Sequence, residues 1–410
     1  NEARSNGTPL QTNATRVWRY VAGSDWTTGD AGRFLVLFYG TDQRYRQSFS
    51  AVNGKRTSER LTGLYRYPSE VVGGAVQWAR GFGKVTLVAG GDVLDNRGTD
   101  LEQLSQVSLS ARQRGEGVYG EVLWQPSGWS VAFSSRFDHF GSFDARQFGG
   151  TPPALPNINE NVFDPRLGVV KKVGGGVSLT GSVFRAFRGP TMNELYRQSQ
   201  VGQQITLANA SLKSERATGF ELGGLWEAGR FGSVRTSYFW TQVNRPIAAV
   251  TLSTTPTSAL LKRENLGQLT SKGLNAEWEL RPTQFMTLTG GYQFAVSTVT
   301  KFQADPTLVG KWTPEVPRNS ASLQVRFEKE RLGTLAVDVR TSGQQFDDSA
   351  NQYRLDGYWL VDLYGEHRFG ERWSVYASAQ NLLNATVEAG RTPILTLGAP
   401  RVVMVGVRLR

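Results

Sequence analysis

The sequence predicts an all-β fold and, within that class, an antiparallel up-and-down β-barrel that crosses a membrane. Three observations lead to this prediction. Apolar and polar residues alternate with a period of two along the whole chain. Short turns alternate with long connections. No apolar run approaches the roughly 18 residues that a membrane helix needs. Barrels in membranes combine these features, because their strands show lipid only every second side chain.

The alternation separates aliphatic from charged side chains. In the segment 321–328, Leu323 and Val325 fall on one side and Arg326 on the other. A charge at mid-bilayer depth on the lipid face costs about 2–4 kcal/mol, so the aliphatic side is expected to face lipid. The expected lipid-facing residues are Leu323, Val325, Val337, Val403, Val405 and Val407, and the expected lumen-facing charges are Arg326, Asp338 and Arg408.

The connections distinguish a membrane barrel from a soluble sandwich or propeller, which alternation alone would also fit. The predicted short turns are Phe82–Lys84, Pro126–Trp129, Val173–Gly176, Ala228–Phe231, Arg281–Gln284, Lys329–Leu332 and Phe369–Arg372. The predicted long connections, which alternate strictly with them, include Phe140–Phe163, Arg188–Lys213, Asn244–Glu264 and Val299–Pro317. Compact soluble domains rarely contain so many connections longer than about 15 residues, whereas barrels place short turns on one rim and long loops on the other.

Strand number bears on closure. The pattern gives about 17 strands, from roughly Thr15–Gly23 to Arg401–Arg410. The first and last of these run in the same direction, and an up-and-down barrel closes antiparallel only with an even number of strands. We therefore expect an open, curved sheet with a seam between residues 15–23 and residues 401–410.

Composition excludes several kinds of chemistry. The 410 residues include 46 Gly, 11 Trp, 13 Tyr and 21 Phe but no Cys, which rules out thiolate metal sites, catalytic cysteines and disulfides. The formal net charge is +11, but the Lys and Arg residues are scattered and form no basic run, so no nucleic-acid partner is expected.

No catalytic, cofactor or metal site is expected either. His139 and His367 are the only histidines, and neither is placed as the base that a nucleophilic Ser requires, so the chain is not expected to be an enzyme. No phosphate-binding or dinucleotide-binding glycine motif is present. The segment 92–100 carries oxygen ligands, but their spacing matches no calcium loop.

Aromatic and basic residues supply two further expectations. We interpret the following tryptophans as girdles at the membrane interfaces: Trp78, Trp124, Trp240, Trp278, Trp359 and Trp373. The long connections carry residues suited to gripping an anionic ligand through charge-assisted hydrogen bonds: Arg188, Tyr196, Arg197, Arg263, Tyr353 and Arg354. Contact with lipopolysaccharide phosphates, or plain solvation, is the alternative role for the same residues.

Four segments, in order, resemble TonB-dependent outer-membrane receptors. Phe184–Tyr196 (FRAFRGPTMNELY) is similar to the family's F-R-x-P-T-x-x-E-L-Y segment, and Leu207–Gly223 to the N-P-x-L-x-P-E segment that follows it. Gln380–Asn384 and Gly398–Arg410 resemble the last two strands. The chain departs from the family at three points: Ala210 and Ser214 replace two prolines, and Arg410 stands where an aromatic residue is usual.

The resemblance implies a transporter. Members of the family have an N-terminal plug and a barrel of about 22 strands, so residues 1–410 are expected to be a partial barrel domain with no plug domain present. The implied function is active import of a scarce nutrient, a ferric siderophore or cobalamin, across the bacterial outer membrane. The implied partners are that cargo, the TonB complex acting through a plug not present in this chain, and outer-membrane lipid with lipopolysaccharide. A passive porin or an adhesin barrel is the alternative.

Overall fold

The structure is a computed structural model of the chain. It describes residues 2–5, 8–53, 55, 57–151, 155–201, 204–256, 258–330, 332–370, 372–392 and 395–409.

One large antiparallel sheet forms the wall of the molecule. Its strands are β1 (Glu2–Ser5), β2 (Thr12–Thr28), β3 (Gly32–Val52), β4 (Glu59–Phe82), β5 (Val85–Glu102), β6 (Val107–Trp124), β7 (Trp129–Phe148), β8 (Ile158–Gly174), β9 (Val177–Arg188), β12 (Glu215–Glu227), β13 (Gly232–Asn244), β16 (Gln268–Thr283), β17 (Met286–Lys301), β18 (Asn319–Lys329), β19 (Gly333–Ser342), β22 (Tyr358–Phe369), β23 (Trp373–Gln380) and β26 (Val402–Leu409).

The remaining elements belong to the connections. They are α1 (Met192–Tyr196), three 3₁₀ turns (Gly29–Ala31, Gly229–Phe231 and Pro306–Leu308), and the short strands β10 (Ser199–Val201), β11 (Gln204–Leu207), β14 (Ile247–Thr255), β15 (Ser258–Asn265), β20 (Gln345–Phe346), β21 (Arg354–Leu355), β24 (Glu388–Gly390) and β25 (Thr396–Leu397). Among the described residues, no helix is long and apolar enough to cross a bilayer.

Each wall strand pairs with the next one along the chain, from β1 to β26. Without the four-residue β1, seventeen of the eighteen strands remain, so the predicted fold class and strand number are confirmed. Within the described residues no pairing joins β26 to β1 or β2. The seam between residues 15–23 and residues 401–410 stays a prediction.

Several wall strands are longer than predicted. The first predicted strand, Thr15–Gly23, extends over Thr12–Thr28, and the predicted connection Phe140–Phe163 shortens to residues 149–157. The prediction that short turns alternate strictly with long connections was also wrong. Residues 103–106 form a short turn on the rim that carries the long connections. The physical reason is that ladder pairing continues beyond the bilayer. A crossing needs roughly 9–11 residues, whereas β4 has 24, and the hydrophobic pattern marks only the part that meets lipid.

The pairing register separates the two faces of the wall as predicted. Val403, Val405 and Val407 share one face of β26 and are 64%, 73% and 61% exposed. Arg408 lies on the opposite face, where its guanidinium is 3.1 Å from the Glu366 carboxylate of β22. A row of apolar side chains that is this exposed on one face needs an apolar surrounding. We therefore keep the prediction that this outer face meets lipid.

Exposed tryptophans mark the rim that carries the short turns. Five of them lie within three residues of such a turn: Trp26, Trp124, Trp129, Trp226 and Trp373. Tryptophan is enriched at membrane interfaces because its ring is apolar and its N–H is polar. The predicted girdle positions Trp124 and Trp373 belong to this row.

The face assignment gives a stability prediction. Val405→Arg should lower the free energy of unfolding by about 2–4 kcal/mol, because the charge enters lipid. The matched control is Met404→Arg, one residue away and on the inner face, where the cost should stay below about 1 kcal/mol. Urea titration of the chain in lipid vesicles measures both values. Equal losses for the two variants would contradict the assignment.

Candidate functional site

The connection between β9 and β12, residues 189–214, carries two of the predicted ligand residues, Tyr196 and Arg197, and a third, Arg188, is the last residue of β9. Strand β9 ends before Pro190, which lacks the N–H that a ladder needs. Thr191 then caps α1: its hydroxyl accepts from the Glu194 N–H at 3.3 Å, and its own N–H donates to the Glu194 carboxylate at 2.8 Å. This reciprocal capping box is readable in the sequence as T-x-x-E.

α1 lies against the inner face of strands β3 to β7. Gln113 of β6 donates from Nε2 to the Pro190 carbonyl at 2.7 Å. The Tyr196 hydroxyl is 3.0 Å from Ser142 Oγ of β7. The connection therefore leaves β9 and returns across the sheet over strands that precede it by more than 50 residues.

Arg197 forms the far anchor of this connection. Its guanidinium carbon is 3.8 Å from the ring centroid of Tyr67, and its Nη2 donates to Gln47 Oε1 at 3.1 Å. Tyr67 is itself stacked between Tyr45 and Tyr65, with ring centroids 5.6 and 5.8 Å away. A cation–π contact contributes about 0.5–2 kcal/mol, more when it is shielded from water. Arg197 thus fixes α1 to an aromatic ladder on β3 and β4.

Arg188 is paired on two sides. Its Nε and Nη2 donate to the two oxygens of Glu215 at 2.7 and 2.9 Å, and its Nη1 donates to Glu194 at 2.9 Å. These bonds join the end of β9, the start of β12 and α1. In this arrangement the charge of Arg188 is balanced by two carboxylates, so its role is to position α1.

Glu194 has a perturbed acidity. Burial alone would raise the pKa of its carboxyl group, but hydrogen bonds from Arg188 and from the Thr191 backbone favour the charged form, and the net result is a pKa below its ordinary value. The carboxylate is therefore the form that the docked α1 requires.

A cavity of about 340 Å³ lies between α1 and the inner face of the wall. Tyr196 and Arg197, both predicted as ligand residues, line it together with Tyr67, Asp100 and Gln113. The last three were missed in the sequence. Alternation places them on one face of their strands, but nothing in the local pattern reveals that α1 covers them.

Arg263 lies in a second structure on the same rim. Strands β10, β11, β15 and β14 form a four-stranded sheet that joins two connections, and Arg263 belongs to β15. Its carbonyl accepts from Asn209 Nδ2 at 2.9 Å, while its own Nε is buried without a hydrogen-bond partner. Asn265 strengthens the junction: its side chain bonds both the N–H and the carbonyl of Lys213, at 2.8 and 2.9 Å.

The connections on this rim also share a small apolar core. Five buried side chains from two connections on this rim and from the end of β17 form it: Val250, Leu266, Val299, Phe302 and Leu308. Ala350, from the connection between β19 and β22, packs against them. Such packing holds neighbouring loops in one arrangement.

Tyr353 and Arg354 lie in that same connection, residues 343–357. The Tyr353 N–H donates to Asp348 Oδ1 at 2.8 Å, and Arg354 forms an exposed ion pair with Asp356 at 2.9 Å. Within the described residues no hydrogen bond or ion pair links Tyr353 or Arg354 to the other four predicted ligand residues. The structure thus brings Arg188, Tyr196 and Arg197 together around α1 and leaves Arg263, Tyr353 and Arg354 apart.

The acidic residues of β5 do not converge. Asp92 faces inward and binds Arg136, whose Nη1 lies 2.6 Å away, whereas Asp95 faces outward and pairs with Arg112. Alternation along a strand sends such odd and even positions to opposite faces. In the part of the chain that is described, no group of three acidic or histidine side chains is placed to hold a metal ion.

Comparison with known proteins identifies the wall. A family model described as "TonB dependent receptor-like, beta-barrel" matches residues 1–382. The chain belongs to this family. TonB-dependent receptors are not enzymes, which agrees with the expectation from the histidines and glycines. A comparison with curated protein sequences found no match.

Solved structures of the same fold include several bacterial receptors. The ferric yersiniabactin uptake receptor FyuA from Yersinia pestis superposes with a TM-score of 0.74 at 16% identity, over 99% of this chain and 63% of its own. The ferric-catecholate import receptor Fiu from E. coli K12 gives 0.74 at 11% identity, over 98% and 65%. The copper transporter OprC gives 0.74 at 13% identity, over 97% and 66%. The chain therefore spans about two thirds or less of these receptors, and at such identities the likeness concerns the fold alone.

The acidity of Glu194 makes α1 docking sensitive to pH. Because its folded-state pKa is lowered, its carboxylate stabilises the docked segment above the ordinary value of about 4.3, and this contribution is lost as the pH falls through the folded pKa. Hydrogen-exchange protection factors of the amides in residues 189–197, which correct for the intrinsic pH dependence of exchange, should therefore fall on acidification below about pH 4. Glu194→Gln should show lowered protection factors already at neutral pH and little further change.

Glu264→Gln, which removes the half-buried carboxylate partner of Lys262 in the loop sheet, is the matched control and should leave these protection factors unaltered. Identical pH profiles for the wild type and Glu194→Gln would show that the carboxylate does not hold α1.

Proposed function

We propose that the chain is the partial barrel domain of a TonB-dependent importer in the bacterial outer membrane. The observation that carries the proposal is the family match over residues 1–382. The architecture supports it, because long connections gather on one rim of a seventeen-strand wall and are packed together by their own apolar core. A plug outside residues 1–410 would receive energy from the TonB complex.

The proposed cargo is a ferric siderophore or cobalamin. FyuA and Fiu, whose folds resemble this one, are named as a ferric yersiniabactin uptake receptor and a ferric-catecholate import receptor. OprC, with an equal TM-score, is named as a copper transporter, so the fold also serves other cargo. Mechanistically, the loops would capture the cargo and movement of the plug would admit it. No bond in the cargo is made or broken by the barrel.

The ligand residues proposed from the sequence differ in how buried their surroundings are. Arg197 and Tyr196 line the cavity under α1, and Arg263 has a buried donor without a partner. Arg354 and Tyr353 lie in a separate, more exposed connection suited to first contact with cargo. Preorganised donors bind an anion more tightly than mobile ones because less side-chain entropy is lost.

The outer face above the apolar band is proposed to meet lipopolysaccharide. It carries Arg112, Arg114 and Arg97, each paired with a carboxylate: Arg114 lies 2.7 Å from Glu116, and Arg97 and Arg112 both contact Asp95. Exposed arginines of this kind can exchange a carboxylate for a phosphate, since the guanidinium matches both groups in geometry.

Import can be tested in cells. A strain lacking the gene, complemented with it, should accumulate radiolabelled ferric siderophore or cobalamin from a panel, and accumulation should stop when TonB is removed. Accumulation that persists without TonB would favour the alternative function of a passive porin. If no member of the panel accumulates, an adhesin would be the remaining alternative.

The loop arginines give a prediction for binding. Replacing Arg188 and Arg197 together with Ala should weaken binding of an anionic cargo by about tenfold or more, because a charge-assisted hydrogen bond from Arg197 contributes about 1.5–3 kcal/mol and Arg188 positions α1. Equilibrium titration of the purified receptor with the cargo found in the uptake panel measures the loss. Unchanged affinity would remove this connection from the binding site.

Thr191→Ala separates contact from positioning. It removes the helix cap, at a cost of about 1 kcal/mol to α1, and takes away no cation. A loss equal to that of the double variant would show that the arginines act by holding α1, whereas a much smaller loss would support direct contact.

A further inference from the structure

We propose that the cavity under α1 binds a small zwitterion, a molecule with an ammonium group and a carboxylate such as an α-amino acid. The inference rests on the geometry of the cavity and does not depend on the proposed import function. It concerns a site on the inner wall, formed by β3 to β6 and roofed by α1.

The cavity contains one unpaired acceptor and one unpaired donor. Asp100 Oδ1 and Arg197 Nε are both buried and have no hydrogen-bond partner in the described part of the chain. The two side chains line the same space but form no ion pair with each other. Leaving a buried charged group without a partner costs more than an ordinary hydrogen bond returns, so such atoms usually mark a place for a ligand or ordered water.

Arg197 cannot move to Asp100 without losing its anchors. The guanidinium is held over Tyr67 and by Gln47, with contacts of 3.8 and 3.1 Å. Asp100 is fixed in β5, which is paired with strands on both sides. A ligand that satisfies both atoms must present a donor to Asp100 Oδ1 and an acceptor to Arg197 Nε, and a molecule with an ammonium group and a carboxylate also complements both charges.

The size and lining of the cavity suit a small organic molecule. Its volume of about 340 Å³ is many times the roughly 30 Å³ of one water molecule and lies at the lower end of the range for ligand pockets. Met192, Leu109 and Ala111 supply apolar surface to the same lining, and Leu109 is the cross-strand neighbour of Asp100. That surface can receive an aliphatic substituent while the ammonium group meets Asp100 and the carboxylate meets Arg197.

Three isosteric probes distinguish a zwitterion from a single charge. L-alanine carries both charges, L-alaninamide only the ammonium group, and L-lactate only the carboxylate. Calorimetric titration of the full chain in detergent should show L-alanine binding at least about tenfold more tightly than either of the others, because each of them leaves one buried group unpaired.

Asp100→Asn tests the acceptor with little change in shape. It should lower the affinity for L-alanine by about tenfold or more and leave that for L-lactate unchanged. Glu116→Gln, an exposed carboxylate on the opposite face of the neighbouring strand, is the matched control and should change neither affinity. Arg197→Lys keeps the positive charge but removes the planar guanidinium and with it the Nε donor, and it should weaken the binding of L-alanine and of L-lactate alike.

Each other outcome overturns the proposal. Equal affinity for L-alanine and L-alaninamide would mean a cation site, and equal affinity for L-alanine and L-lactate an anion site. No saturable heat with any probe up to about 10 mM would mean that the cavity holds water only. If Arg197→Lys fails to fold, Asp100→Asn still tests the proposal, because the amide has the same size as the carboxylate.

Discussion

The wall depends on one constraint: a backbone that crosses lipid must satisfy every N–H and C=O within the protein, because no water is available to do so. An antiparallel ladder between successive strands meets this constraint with short turns, and seventeen strands follow it without a crossover. Side-chain chemistry is then free to differ between the two faces. The valines of β26 face outward, whereas the ion pair of Arg408 with Glu366 faces inward. Val407 and Arg408 lie on opposite faces although they are adjacent in the sequence.

The same ladder makes the rim a scaffold. Each strand is held in place by its paired neighbours, so the connections begin and end at fixed positions. A few apolar contacts are then enough to hold a connection in one conformation. The core around Val250 and Phe302 and the bonds of Asn265 to Lys213 illustrate this, since each joins connections that are remote in the chain. α1 is the extreme case: its anchors lie on the wall itself, and its own five residues would not form a stable helix in isolation.

The sequence predicts the wall better than the rim, for a physical reason. Alternation and turn composition are local or cumulative properties, and they sufficed for the fold class, the strand number and the faces of Val405 and Arg408. The family was indicated separately, by the resemblance of four segments to its motifs. Strand ends were misplaced where pairing outlasts the hydrophobic pattern, as in β2 and β7. The cavity depends on Arg197 meeting Tyr67, a contact between distant segments that no local pattern encodes. The capping box of Thr191 was readable, but the surface on which α1 docks was not.

The reach of the α1 connection has a consequence for the order of assembly. The Arg197 guanidinium bonds Gln47 across 150 positions of the chain, and contacts between such distant segments form only after the loop between them has closed, which makes them slow. β3 to β7 must already be paired before Arg197 finds the ring of Tyr67. Docking of α1 therefore reports that five strands of the wall, β3 to β7, have reached their native register, and a slipped strand among them would leave this arginine unstacked and the segment open to proteolysis.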